Sequence, residues 1–353
     1  VTFHPVTPTI GNVVPPLPVA DGGTGQVTLT ANELLVSGTT PTGAFQQVTT
    51  GTPGQVLLSG APPTFGAQNY GGIFGNGSDG AVIFDGIATP VAGATLSGST
   101  YTMTRDIQGT NVTVNNGVTL KPTNFRIFCL GTFTNNGTIS AAGNAASAGT
   151  AGGNNGSALL TGGAAGGNGG TGVNGTGANG SAANFGIAGG NGGAGTSGAA
   201  GSGGAISGTS NVNAQANILN TPHPLLVGIT TYFNSSRTMF WGAGGGGGGS
   251  DASSNAGGGG GGGGSIVAIF AWAAVNSATG TITVQGGAGA NGTGGNAGGG
   301  GGGSGGLVAV YTLAAWTQSG TVTVTGGAKG TKAGSGADGS NGGTGVSLNV
   351  VVV

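Results

Sequence analysis

Uninterrupted glycine runs limit this chain more than any other feature. Gly244–Gly249 and Gly257–Gly264 contain nothing else, and 89 of the 353 residues are glycine. Ordering such a run is costly, because fixing one residue's backbone takes about 1–2 kcal/mol and glycine has the most freedom to lose. Chains that stay disordered for this reason are poor in apolar residues and rich in charge. Here 36% of residues are hydrophobic and only 4% charged, and the apolar residues cluster in runs such as Ser265–Phe270. An ordered array is therefore expected. Collagen is excluded, since it needs strict Gly-X-Y with abundant proline, and no proline follows Pro224. An extended threefold helix of polyproline II shape makes no hydrogen bonds of its own. Several packed side by side can pair N–H with C=O between them. A Cβ inside that lattice would hold the backbones apart, so only glycine fits there.

The rest of the chain divides by composition. Residues 1–18 are rich in Pro and Thr and read as an extended linker. Residues 19–69 hold short apolar segments, Leu29–Val36 and Thr50–Ser59, between Gly and Pro turns. Residues 70–140 form a short-strand β module, with strands expected at Asn111–Val114, Gly117–Leu120, Phe125–Leu130, Thr132–Thr134 and Gly137–Ser140. Asn115-Asn116-Gly117 and Asn135-Asn136-Gly137 are turn signals, because Asn and Gly tolerate positive φ. Residues 141–353 are the glycine-rich region and repeat internally. Ser265–Phe270, Ala273-Ala274 and Gly280–Val284 recur as Leu307–Tyr311, Ala314-Ala315 and Gly320–Val324. Ile266 matches Leu307 at an offset of 41 and Thr281 matches Thr321 at 40. A degenerate earlier copy runs from Gly131 to Gly143. A period of this length predicts stacked units that bury apolar faces only against their neighbours.

The order Asp21–Gly25 (DGGTG), Thr28–Asn32 (TLTAN), a Leu-Leu-Val strand, Thr50–Leu57 (TGTPGQVL) and Pro62–Phe65 (PPTF) resembles a repeat of bacteriophage tail fibres and large-virus surface proteins. The resemblance covers about fifty residues. It implies a stalk or connector in a multimeric, usually trimeric, fibre. In composition, the glycine-rich part resembles phage adhesins built from polyglycine II helices.

Catalytic chemistry finds little support. Glycine-loop matches follow from composition alone, and no Gly-Lys-Ser/Thr completes a phosphate-binding loop. A glycosidase needs two carboxylates about 5–10 Å apart. Asp79 and Asp85 are the close pair in sequence, and their glycine neighbours make turn roles the simpler reading. Asp338 alone approaches a Gly/Asp calcium repeat, too few ligands for a hard cation. His4 and His223 have no evident third ligand. Cys129 stands alone, so no disulfide or cysteine zinc site can form. Eight Asn-x-Ser/Thr sequons, among them Asn111, Asn136, Asn174 and Asn291, are near expectation for an Asn- and Thr-rich chain. No cofactor or metal is expected. A net charge of −1, with no charged residue from Ile127 to Ser236, offers no footprint for nucleic acid. The longest apolar run, Ile266–Val275, is too short to span a membrane. No basic residue precedes Arg105, so no secretory leader is expected there. In the glycine-rich half, Asn211–Trp241 breaks the pattern. Its His223, Tyr232, Phe233, Arg237, Phe240 and Trp241 are either a cap for the array or a receptor-contacting cluster.

The expected protein is all-β: a repeat-built fibre with a β-solenoid-like module and a polyglycine II array. It is expected not to be an enzyme but an extracellular virion fibre or receptor-binding adhesin for host attachment. Its expected partners are itself (as a homotrimer), other tail proteins through the N-terminal region, and a host receptor or glycan. A bacterial surface filament is the alternative, and a polysaccharide-degrading tail spike a further one.

Overall fold

A computed structural model describes the strand backbones at 34–36, 46–48, 55–58 and 64–67, and residues 73–87, 91–123, 125–150, 164–182, 188–205 and 242–351. The chain divides into two units, Val1–Gly71 and Gly72–Val353. In the first, β1 (Leu34–Val36) pairs antiparallel with β2 (Gln46–Val48), and β3 (Gln55–Leu58) with β4 (Thr64–Ala67). These are separate two-stranded ladders of three or four residues per strand.

The second unit is strand-rich, and no helix occurs among the described residues. Its strands are β5 (Ala81–Phe84), β6 (Ala94–Ser97), β7 (Thr100–Met103), β8 (Ile107–Gly109), β9 (Asn111–Val114), β10 (Thr119–Lys121), β11 (Ile127–Asn135) and β12 (Thr138–Ser140). After the first glycine-rich stretch come β13 (Ile266–Asn276), β14 (Thr281–Thr283), β15 (Leu307–Thr312), β16 (Thr317–Gln318), β17 (Thr321–Thr323) and β18 (Val346–Val351). They form two sheets. The larger runs β18-β15-β13-β11-β9-β5, with β16 and β8 beside β13 and β11, and the smaller runs β17-β14-β12-β10-β7-β6. All these pairings are parallel except β6 with β7. From β9 to β15, successive strands alternate between the sheets. Because β11 pairs with β13 and β12 with β14, residues 127–140 share both sheets with the glycine-rich region. Residues matched in sequence at the offset of 41 lie side by side: Ile266 faces Leu307 and Phe270 faces Tyr311.

One core joins the sheets. Val82, Phe84, Val112, Val114, Phe133 and Val308 of the larger sheet pack with Tyr101, Leu120, Ile139 and Ile282 of the smaller. In-register pairing also stacks like on like. Phe128, Phe270 and Tyr311 form a column of rings with centroids 5.1 and 4.8 Å apart. Such pairs contribute about 0.5–1.5 kcal/mol beyond their burial. Buried Asn135 donates to Asn276 Oδ1 across 2.7 Å, which satisfies amides at the end of β11 and β13.

The expected strands at Phe125–Leu130 and Thr132–Thr134 are one strand, β11, interrupted by a register shift between Cys129 and Thr132. The turn signals also differ from one another. Gly117 has a positive φ of 78°, whereas Gly137 does not. Gly137 is needed because a Cβ there would overlap the Asn115 carbonyl oxygen.

The glycine runs take a different order. In 242–250 the backbone donors cycle through three directions. Gly244, Gly247 and Ser250 donate to Ser181, Ala178 and Gly175; Gly245 and Gly248 donate to Gly261 and Gly258; Gly246 and Gly249 donate to Gly190 and Gly193. Its carbonyls accept in three more directions, from 164–170, 198–204 and 298–304. The run is thus enclosed by six neighbouring segments and carries no strand pairing. Run 298–306 has the same surroundings: it donates to 243–249, 284–290 and 337–343 and accepts from 258–264, 190–193 and 327–330. Runs 242–250, 257–265 and 298–306 touch one another and are buried throughout. A Cβ on Gly260 would overlap the Gly245 carbonyl oxygen, and one on Gly261 the Gly287 oxygen.

At the rim, where lattice neighbours are missing, Asn side chains stand in. Asn179 Oδ1 accepts from Ser202 N, Asn191 Oδ1 from Gly203 N, and Asn291 Oδ1 from Thr331 N. Two of the central runs lead into strands, 257–265 into β13 and 298–306 into β15, so neighbours in the array remain neighbours in the sheet.

Replacing Gly260 and Gly261 by Val should separate these backbones and break bonds such as Gly260 N to Gly167 O, each worth about 0.5–1.5 kcal/mol. The melting temperature should fall by roughly 5–10 °C in thermal denaturation. Ala252→Val, on an exposed turn, should leave it unchanged.

Candidate functional site

Adjacent runs reverse direction through short turns, and the hydrogen bonds place these turns at one end of the array. The turns are 171–174, 196–197, 251–254, 293–295 and 333–335. Asn174 N donates to Asp251 O, Thr196 N to Asn296 O, Thr293 N to Ala256 O, and Ala333 N to Ala297 O. The turn residues are short and mostly uncharged. Thr171, Val173, Asn174, Ser254, Thr293 and Lys332 are exposed, and Val173 is a large apolar side chain left open to solvent.

Asp251 organises this end. Its Oδ1 accepts from Ser253 N at 2.8 Å and Asn255 N at 2.9 Å. Its Oδ2 accepts from Asn255 Nδ2 at 2.8 Å and Asn296 N at 2.9 Å. One buried carboxylate thereby ties together the ends of the three central runs. The Asn255 amide, followed by the Asn296 N–H, lowers the Asp251 pKa to about 2. The same turn holds Ser254 at φ 64°, a conformation that costs a non-glycine residue about 1–3 kcal/mol. Gly295, at φ 52°, leaves room for Asp251 Oδ2, which a Cβ there would overlap. Beside the clasp, Lys329 Nζ pairs with Asp338 Oδ2 at 2.8 Å, and Asp338 Oδ1 accepts from Lys332 N. Lysine hydrogen bonding holds the Asp338 carboxyl below its usual range.

The other carboxylates weighed as catalysts have structural partners. Asp79 accepts both guanidinium nitrogens of Arg105 and the Gln108 N–H, which together hold its pKa down. Asp85 accepts from Ile87 N and Tyr101 Oη, with the same effect. Asp106 accepts Arg126. Burial pushes the Cys129 thiol up to about 11. Asn111 and Asn291 each accept a backbone N–H through Oδ1. Among the described residues no three His, Cys, Asp or Glu side chains gather to hold a metal ion. His4, and the cluster of His223, Tyr232, Phe233, Arg237, Phe240 and Trp241, lie outside the described residues.

Sequence reasoning did not single out Asp251. The available signal was its place between two glycine runs with Asn255 four residues on. Its bond to Asn296 depends on long-range packing that no local pattern gives. No family model, curated protein or solved structure matches this chain.

The clasp makes stability depend on acid. The folded pKa of Asp251 is depressed from an unfolded value of about 3.9. Its stabilisation is therefore complete above that value and is lost as pH falls towards 2. Melting temperature should drop between about pH 4 and pH 2, with the other depressed carboxylates contributing. Asp251→Asn should melt lower at neutral pH and show a flatter acid slope, measured by thermal melts across pH.

Proposed function

We propose that this chain is a structural fibre or receptor-binding adhesin of a virion surface, acting in host attachment. In this reading it assembles as a homotrimer, and its N-terminal region joins other tail proteins. The described residues between 73 and 351 form a solenoid-like, repeat-built β module continued by a polyglycine II array. The observation that carries the reading is the threefold hydrogen-bond cycle of the 242–250 run, with six surrounding segments. An extended helix with three residues per turn has this periodicity. Such an array gives a rigid body almost without charged side chains, and it gathers exposed turns at one end, away from the sheets. The exposed turns at that end carry hydroxyl and amide groups together with the apolar side chain of Val173, chemistry suited to a polyhydroxylated surface glycan. The tail-fibre-like order of motifs in residues 19–69 supports the stalk role.

Location and contact are tested together by immunogold microscopy with antibodies to the folded chain, and by adsorption assays in which purified chain competes with particles for host cells. Gold on fibres and blocked adsorption are expected, with Val173→Asp reducing the block without changing the melting temperature. Gold on cellular filaments instead of particles would contradict the proposal and favour a bacterial surface protein.

A further inference from the structure

The smaller sheet of the second unit turns one face into the core, through Tyr101, Leu120, Ile139 and Ile282. The alternate positions look outward and form two rows across six strands. One row is Ser97, Thr100, Thr119, Thr138, Thr281 and Thr321; the other is Thr95, Thr102, Lys121, Ser140, Thr283 and Thr323. Only Lys121 in either row lacks a hydroxyl. Every one of these residues is exposed or half-buried.

Threonine is common on exposed strands simply because β-branched residues suit them. That explanation alone predicts a similar pattern on the outer face of the larger sheet. There the corresponding row is Ile83, Thr113, Thr134, Val275 and Thr317, a mixture of apolar and hydroxyl residues. The regular array therefore belongs to one face. Its hydroxyls are also free for solvent: among the described residues, those of Thr100, Thr119, Thr138 and Thr281 have no protein partner.

Parallel strands set the spacing. Neighbours along a row lie about 4.8 Å apart, and the rows, two residues apart on each strand, about 6.6 Å apart. Every lattice point except Lys121 carries a hydroxyl, that of Thr95 donating to the Thr102 carbonyl, and the threonines add a methyl that restricts where bound water can sit. Oxygen rows on the prism faces of hexagonal ice repeat at closely similar distances in two perpendicular directions. Bound water on this face can thus take up an arrangement close to that of an ice surface, and only Lys121 introduces a charge.

We propose that the threonine face of the smaller sheet binds ice, the partner being the ordered water of a crystal surface. This activity goes beyond host attachment and does not depend on it. The test uses the full chain in nanolitre osmometry, reading crystal shaping and the gap between melting and freezing. Wild type should shape crystals and open a gap. Thr138→Tyr and Thr281→Tyr, at the centre of the rows, should abolish both while keeping the wild-type melting curve. Thr113→Tyr, on the other sheet, should retain both. A folded wild-type chain that neither shapes ice nor opens a gap overturns the proposal, whatever the variants do. So does an activity that survives both central substitutions.

Discussion

Backbone-to-backbone contact without side chains is the constraint on which the second unit depends. In runs 242–250, 257–265 and 298–306, carbonyl oxygens of neighbouring segments occupy the space where Cβ atoms would stand. That closeness lets N–H groups in three directions find acceptors, and it explains why long stretches of this chain carry no side chain. A β-sheet offers each strand two hydrogen-bonding neighbours, whereas run 242–250 has six. The hydrophobic effect contributes little inside such a bundle, because glycine has little apolar surface to bury. Hydrogen bonds there, at about 0.5–1.5 kcal/mol net, only offset an ordering cost of similar size.

The array is therefore held at its ends. At one end runs 257–265 and 298–306 become strands, and Ile266–Ala271 and Leu307–Tyr311 are fully buried in the larger sheet. Rings and amides stacked in register there make a sideways slip of one residue expensive, since a slip would turn every core side chain outward. At the other end Asp251 ties three runs through four hydrogen bonds. Placing this carboxylate where so many N–H groups converge stabilises its charge without a cationic partner. The same closure leaves small polar turns exposed, which suits a surface that meets other molecules.

Much of this was legible in the sequence, for a physical reason. Runs such as Asn111–Val114 and Gly137–Ser140 read as strands because apolar and β-branched residues lie between turn residues, and they hold β9 and β12. The internal similarity matched Ile266 with Leu307, and these two residues are lateral neighbours in the larger sheet. β5 to β8 were missed because three or four residues among Asp, Gly and Ser give no periodicity. β11 was read as two strands because Leu130-Gly131 looks like a break, while the chain absorbs it as a local irregularity. The Asp251 clasp and the Asn135–Asn276 contact join residues 45 and 141 positions apart, so neither has a local signature.

Residue-resolved amide hydrogen exchange by NMR tests the central claim most directly. Amides in 244–250, 257–264 and 298–306 should all be strongly protected, matching those of β13 and β15. At the rim, in 175–182, protection should follow a period of three. Gly177, Ala178, Gly180 and Ser181 have acceptors and should exchange slowly, while Thr176 and Asn179, whose N–H groups have none among the described residues, should exchange fast. Fast exchange throughout the central glycine runs, or a period of two at the rim, would contradict the account.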